Sequence, residues 1–245
     1  MLVAATWLAT GAYLFAGLAA MWMLAPRVPY ADQWRIYRHL IERPFPASVF
    51  AVENGHRGVR PNLIRIAELN WMPADQNLQI VVGLLCALAT FGFLAFSIWR
   101  APASPAVRSA AIFAAALRVF WLGNERALAH SNEAVHAHPV TFFLVPALAL
   151  VARATPRVED ARTRAAAACA IAATFSFGSG IAILPAMMFV LLLRGAALRG
   201  WVPAASGLAA ALLLYLWGKS TPRPERCASR AAFWIRRSRV CWYSM

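Results

Sequence analysis

The chain has 245 residues, 61% of them hydrophobic and 14% charged, with a formal net charge of +14. Soluble domains are about half apolar and a quarter charged, so this composition, with a mean hydropathy of +0.56, excludes an ordinary soluble enzyme and a disordered basic tail protein. A basic soluble chain would point to nucleic acid, but these cations sit between long apolar runs, where membrane topology explains them, and the four cysteines make no disulfide framework.

A hydrocarbon core of about 30 Å takes about 20 helical residues. The first span is expected at Leu2–Leu24, uncharged and ended by Ala25-Pro26-Arg27. It lacks the basic start and short core of a cleaved signal peptide and reads as a retained span. The long loop Ala25–Asn77 follows. Its opening predicts a short amphipathic helix to Glu42, with Trp34, Tyr37 and Ile41 on one face suited to the membrane interface. Asp32 stands at the N-cap position of that helix. Further on, Glu53-Asn54-Gly55-His56-Arg57-Gly58-Val59-Arg60-Pro61 gathers an acid, a histidine and two arginines on an otherwise apolar chain. It reads either as a solvated loop or as a polar site.

The second span is expected at Leu78–Trp99 and the third at Ala106–Leu122, the latter carrying Arg118 near its end. A charge within a span marks a functional group or a side chain that snorkels to the headgroups. Asn124, Glu125, Arg126, His130, Glu133, His136 and His138 are read as a loop, and no metal site is assigned to them. The fourth span is expected at Pro139–Ala152. Ala165–Leu193 would make a helix of about 43 Å, but Ser176-Phe177-Gly178-Ser179-Gly180 and Pro185 interrupt it. Glycine and proline let helices break, so two short helices, Ala165–Phe177 and Ile181–Leu193, are expected with a tight bend. Trp201–Trp217 closes a count of seven spans, or six if the interrupted stretch is one helix. The expected domains are a transmembrane unit over 1–218 and a tail over 219–245. That tail is read either as a disordered segment on anionic headgroups or as an out-of-frame extension.

Lysine and arginine accumulate in cytoplasmic loops. With the N-terminus inside, the inner short linkers hold eight, Arg100 through Arg199, against Arg126 alone in the short outer loops. The long first loop carries seven arginines and the tail seven further basic residues, both on the outer side. Raw totals therefore favour the reverse orientation, while the short linkers favour this one.

Asp32 after an N-terminal span, with Trp34 and Tyr37, resembles the acidic first-loop motif of GT-C membrane glycosyltransferases, whose aminoarabinose-transferase and protein-mannosyltransferase branch carries Asp-Glu-x-x-Tyr there. Glu53–Pro61 is similar to the Asn-Glu-His-Arg…Pro stretch of related bacterial membrane proteins. Phe175–Arg194 resembles the branch's Leu-Thr-Lys-Gly-Pro…Leu-Pro hairpin. The resemblance covers roughly Leu2–Gly218. It implies an all-α protein of the inner (cytoplasmic) membrane, with about seven transmembrane helices and a long first extracytoplasmic loop. It also implies transfer of a sugar from a polyprenyl-phosphate donor to an acceptor at the outer face. Asp32 is then the base, Glu53 and His56 are secondary polar groups of the catalytic site, and Arg57, Arg60 and Arg118 contact the lipid phosphate. A carboxylate can take a hydroxyl proton, and guanidinium forks match phosphate oxygens. No cofactor beyond the lipid-linked donor and no nucleic-acid partner is expected; no residue is assigned to a metal, and a divalent-metal requirement is left open.

The chain departs from the branch in two places. Histidines stand where relatives often have a second aspartate before the fourth span, and the bend has Ser176 and Ser179 but no lysine. A non-catalytic multi-pass protein, whether a transporter fragment, an assembly subunit or an inactive relative, is the other reading.

Overall fold

Long uncharged stretches rich in Leu, Ala and Phe leave the backbone no partner but itself in an apolar medium, and the chain answers with helices. The computed structural model describes residues 1–29, 33–52, 56–72, 74–123, 130–155 and 160–216. Its α-helices are α1 (Leu2–Met23), α2 (Gln33–Glu42), α3 (Val59–Trp71), α4 (Asn77–Trp99), α5 (Pro105–Val119), α6 (Ser131–Arg153), α7 (Ala161–Ser176), α8 (Ile183–Leu193) and α9 (Leu198–Leu216). A 3-10 turn, Gly178–Ala182, joins α7 to α8. No strand occurs among the described residues. Among the described residues, four helices are long and apolar enough to cross a membrane: α1, α4, the Ala134–Arg153 part of α6, and α9. Leu8, Phe15, Leu85, Phe96, Phe189 and Leu213 lie exposed on the bundle surface, as a lipid-facing wall requires.

Local signals set several boundaries. Ser104 caps α5 by accepting from the Val107 amide at 3.3 Å, with Pro105 in the first turn. Asp160 caps α7, accepting from the Arg162 amide at 2.8 Å and the Thr155 amide at 2.9 Å. Those backbone donors hold the Asp160 carboxyl below its usual range. Helix C-termini expose carbonyls that cations satisfy. Arg108 Nη1 donates to Trp99 O at 3.1 Å, Arg162 Nη1 to Arg153 O at 2.6 Å, and Arg194 Nη1 to Val151 O at 2.7 Å and Ala154 O at 2.8 Å. Arginines of the short linkers thus gather at one end of the bundle, where α4, α6 and α8 finish.

α1 and α4 are antiparallel, since Trp7 meets Trp99 with ring centroids 6.3 Å apart while Arg27 hydrogen-bonds Asn77. α6 packs between α4 and α7. The main core is built from small residues, Ala147, Ala166, Ala170, Ala173, Ala204 and Ala211, around Leu184, Met187 and Leu191. Alanine-rich seams let apolar helices approach closely where lipid supplies no hydrophobic drive. A second cluster joins Met21, Ala87, Phe120 and Ala134.

The structure revises three sequence-based expectations. Residues 59–71 form a helix that apolar counting misses, so Arg60 and Pro61 belong to a helical first turn rather than a loop. His136 and His138 lie on α6, which begins eight residues before the expected start at Pro139. The apolar face of α2 is also split: Trp34 is 61% and Ile41 70% exposed, but Tyr37 is only 4% exposed and turned inward. Buried polar partners on α3 and α4 draw Tyr37 in. Residues 219–245 lie outside the described residues.

Candidate functional site

The end of the bundle opposite the linker arginines is covered by the first loop. α3 lies against α4 and α7 there and sends one polar face, Asn62, Arg65 and Glu68, into the interior, all three at most 2% exposed. A charge buried in such a place needs partners. Glu68 Oε2 accepts from Tyr37 Oη at 3.0 Å and Gln79 Nε2 at 2.7 Å, while Oε1 accepts from the Leu78 amide at 3.0 Å. Gln79 Nε2 also lies 2.7 Å from Tyr37 Oη. Burial first, and the Glu68 carboxylate second, push the Tyr37 phenol well above its ordinary pKa. Arg65 donates to Gln79 Oε1 at 3.3 Å and Asn62 Oδ1 at 3.0 Å, and Asn62 Nδ2 donates to Val49 O at 3.1 Å. Through Gln79, the guanidinium and the carboxylate compensate each other without a direct ion pair.

The network ends on the α7–α8 bend. His136 Nδ1 is 2.8 Å from Ser176 O, and Phe177 stands between two imidazoles, with ring centroids 4.6 Å from His56 and 5.4 Å from His136. His56 Nδ1 is 3.0 Å from Tyr215 Oη at the end of α9, and the Arg57 backbone bonds the same phenol. A Cβ at Gly178 would sit 2.7 Å from His56 Nδ1 and inside contact with Tyr215 Oη, so a side chain there would push the His56–Tyr215 pair aside. Arg60 stands four residues after His56, in the first turn of α3. Its Nη2 donates to Cys86 Sγ at 3.5 Å, its guanidinium lies 5.2 Å from the Phe143 ring centroid, and its buried Nη1 has no partner among the described residues.

Of the residues expected from sequence to form the site, His56 is brought to the bend and Arg57 joins it through its backbone bond to Tyr215, whereas Arg60 sits between Cys86 of α4 and Phe143 of α6. Asp32 and Glu53 lie outside the described residues. Arg118 is placed elsewhere: it sits in the last turn of α5 and lines a cavity between α4, α5 and α6 whose lining includes none of His56, Arg57 and Arg60. A separate cleft of about 570 Å3 opens between the end of α1, α2 and α3, lined by Arg27, Trp34, Tyr37, Arg38, Glu42 and Asp75. Its charges have local partners, Arg38 Nε with Glu42 at 2.6 Å and Asp75 with the Asn77 amide at 3.1 Å.

Sequence reasoning missed Asn62, Arg65, Glu68 and Gln79. Three polar residues at i, i+3 and i+6 on one short segment, followed by a glutamine one turn into an apolar run, carry the signal of a buried polar face. Among the described residues no cluster of three or more His, Cys, Asp or Glu side chains converges to hold a metal. Comparison with known family models, curated proteins and solved structures returns no match.

Proposed function

We propose that this chain is a GT-C-like membrane glycosyltransferase, crossing the bilayer seven times and transferring a sugar from a polyprenyl-phosphate donor to an acceptor at the outer face. One observation carries the reading: His56 of the first loop is stacked on Phe177 of the hairpin bend and bonded to Tyr215. Loop and bend therefore share one end of the bundle, as sugar transfer beside a kinked hairpin demands. Seven crossings are supported by the Gly178–Leu193 segment, which covers about 26 Å when its 3-10 turn and helix are added. The inside position of the N-terminus is supported by the arginines capping α4 and α6 at the other end.

In this mechanism the acceptor hydroxyl loses its proton to Asp32 as its oxygen attacks the anomeric carbon. The bond from that carbon to the carrier phosphate breaks with inversion, and Arg57 and Arg60 hold the departing anion. The buried, unbonded Nη1 of Arg60 supports the last role. The cleft beside Trp34 offers an aromatic platform among charged groups that can bond sugar hydroxyls.

The test is transfer by the full chain in proteoliposomes supplied with a panel of polyprenyl-phosphate sugars. Asp32→Asn is expected to lower transfer by roughly 10²–10⁴-fold with insertion unchanged, and retained transfer removes the assigned base. A second reading, a non-catalytic assembly subunit, draws on Glu68, whose carboxylate is fully engaged in holding the fold. Absence of transfer from every donor favours it.

A further inference from the structure

We propose that the cavity between α4, α5 and α6 binds an anionic phospholipid of the surrounding bilayer, its headgroup on Arg118 and one chain lodged between α4 and α6. The two ends of this cavity differ in chemistry. Arg118 and the 57%-exposed Trp121 form one end, next to His138. Leu94, Leu144 and Val145 form the other. α4 and α6 run in the same direction, because Gly83 lies against Ala134 near their starts and Thr90 and Leu94 share one cavity with His138, Leu144 and Val145 further along. Positions 94 and 144–145 therefore lie deeper along both helices than Thr90 and His138.

Arg118 is the one lining residue with a permanent charge, and it is exposed. The hydroxyls of Thr90 and Thr141 donate to Cys86 O at 2.7 Å and His138 O at 2.9 Å, so the walls spend their donors internally and present mainly apolar surface. A guanidinium at the mouth of an apolar slot selects an anion that carries a chain, and tryptophan anchors at headgroup level. The volume is about 240 Å3. Pockets that enclose whole small ligands measure roughly 300–1,000 Å3, so this one fits part of an amphiphile whose remainder stays in the membrane. The lining includes none of His56, Arg57 and Arg60, and the proposal does not depend on glycosyl transfer.

The test counts lipid retained by the full chain in detergent, using native mass spectrometry with phosphatidylglycerol or phosphatidylcholine of matched chains. The wild-type protein is expected to retain phosphatidylglycerol preferentially, and Arg118→Gln to weaken that retention roughly tenfold. Val145→Trp, which fills the deep end and leaves Arg118 in place, should weaken it as well. Equal retention of both lipids by the wild-type protein overturns the proposal without reference to any variant. So does retention that survives both substitutions. Competition by inorganic phosphate as effective as the lipid overturns the need for a chain. Complete displacement by equimolar polyprenyl monophosphate reassigns the cavity to the carrier and overturns a bilayer phospholipid as its occupant.

Discussion

Arg65 Nη2 lies 3.1 Å from His136 Nε2, a contact between the first loop and α6 across 71 residues of sequence. Ser176 O, 2.8 Å from the other ring nitrogen, can only accept, so Nδ1 carries the proton and Nε2 receives the Arg65 hydrogen bond. The neutral imidazole thus passes the guanidinium's pull on to the backbone of the bend, and loop one, α6 and the hairpin are held by a single row of polar groups.

Because that row is buried, removing one member leaves the others unsatisfied. Glu68→Gln is expected to destabilise the fold by roughly 1.5–3 kcal/mol, because the Tyr37, Gln79 and Leu78 donors lose a charged acceptor in a buried site. The Arg65→Gln, Glu68→Gln double variant should differ from the sum of the single losses, since both side chains bond the same Gln79 amide and residues of one network are coupled. Thermal unfolding of the detergent-solubilised protein measures all three.

Gly180 tests the bend directly. A Cβ there would meet the carbonyl carbon and oxygen of Ala173 and the Thr174 amide well inside contact distance, and these are backbone atoms that cannot swing aside. Gly180→Ala is expected to cost about 2 kcal/mol or more, whereas Ser179→Ala at the exposed neighbour should cost less than about 0.5 kcal/mol. Equal thermal shifts for the two would show that the turn gives way freely.

The tyrosine in this network has a pH signature. Burial and Glu68 raise the Tyr37 pKa, so above about pH 10, the ordinary tyrosine value, the unfolded phenol ionises while the folded one keeps its proton. The contribution of Tyr37 to stability is therefore complete below that pH and is lost as pH rises through the higher folded value. The tyrosinate absorbance of the wild-type protein minus that of Tyr37→Phe should show Tyr37 ionising above the ordinary tyrosine value.

Orientation is open to chemical labelling at Ala47, which is exposed in the first loop next to the buried Ser48. With the native cysteines replaced by serine, Ala47→Cys is expected to react with an impermeant maleimide in intact cells. Reaction only after permeabilisation would reverse the proposed topology.

Much of the bundle was legible in the sequence because apolar runs of span length have no soluble alternative. The broken hairpin was legible too, since Ser176–Gly180 and Pro185 interrupt an otherwise continuous run. α3 was not, because its exposed and buried faces mix charge with apolar residues so that no run or stripe stands out. The inward turn of Tyr37 was equally hidden: its helical face predicts interface contact, and only Glu68 and Gln79, distant in sequence, reverse it. Of the site, the clustering of His56, Arg57 and Arg60 was readable from spacing, but the partner surface of Phe177 and Tyr215 comes from tertiary contact alone. Arg118 looked like a member of that group because sequence reports its depth in a span and says nothing of which neighbours surround it.

α6 is fastened to the hairpin at both extremities, by His136 to Ser176 O at one and by Val151 O and Ala154 O to Arg194 at the other. A rod clamped top and bottom forbids sliding, so helix and hairpin travel as one body. Shifting the hairpin along α6 would therefore break a bond at one extremity or the other.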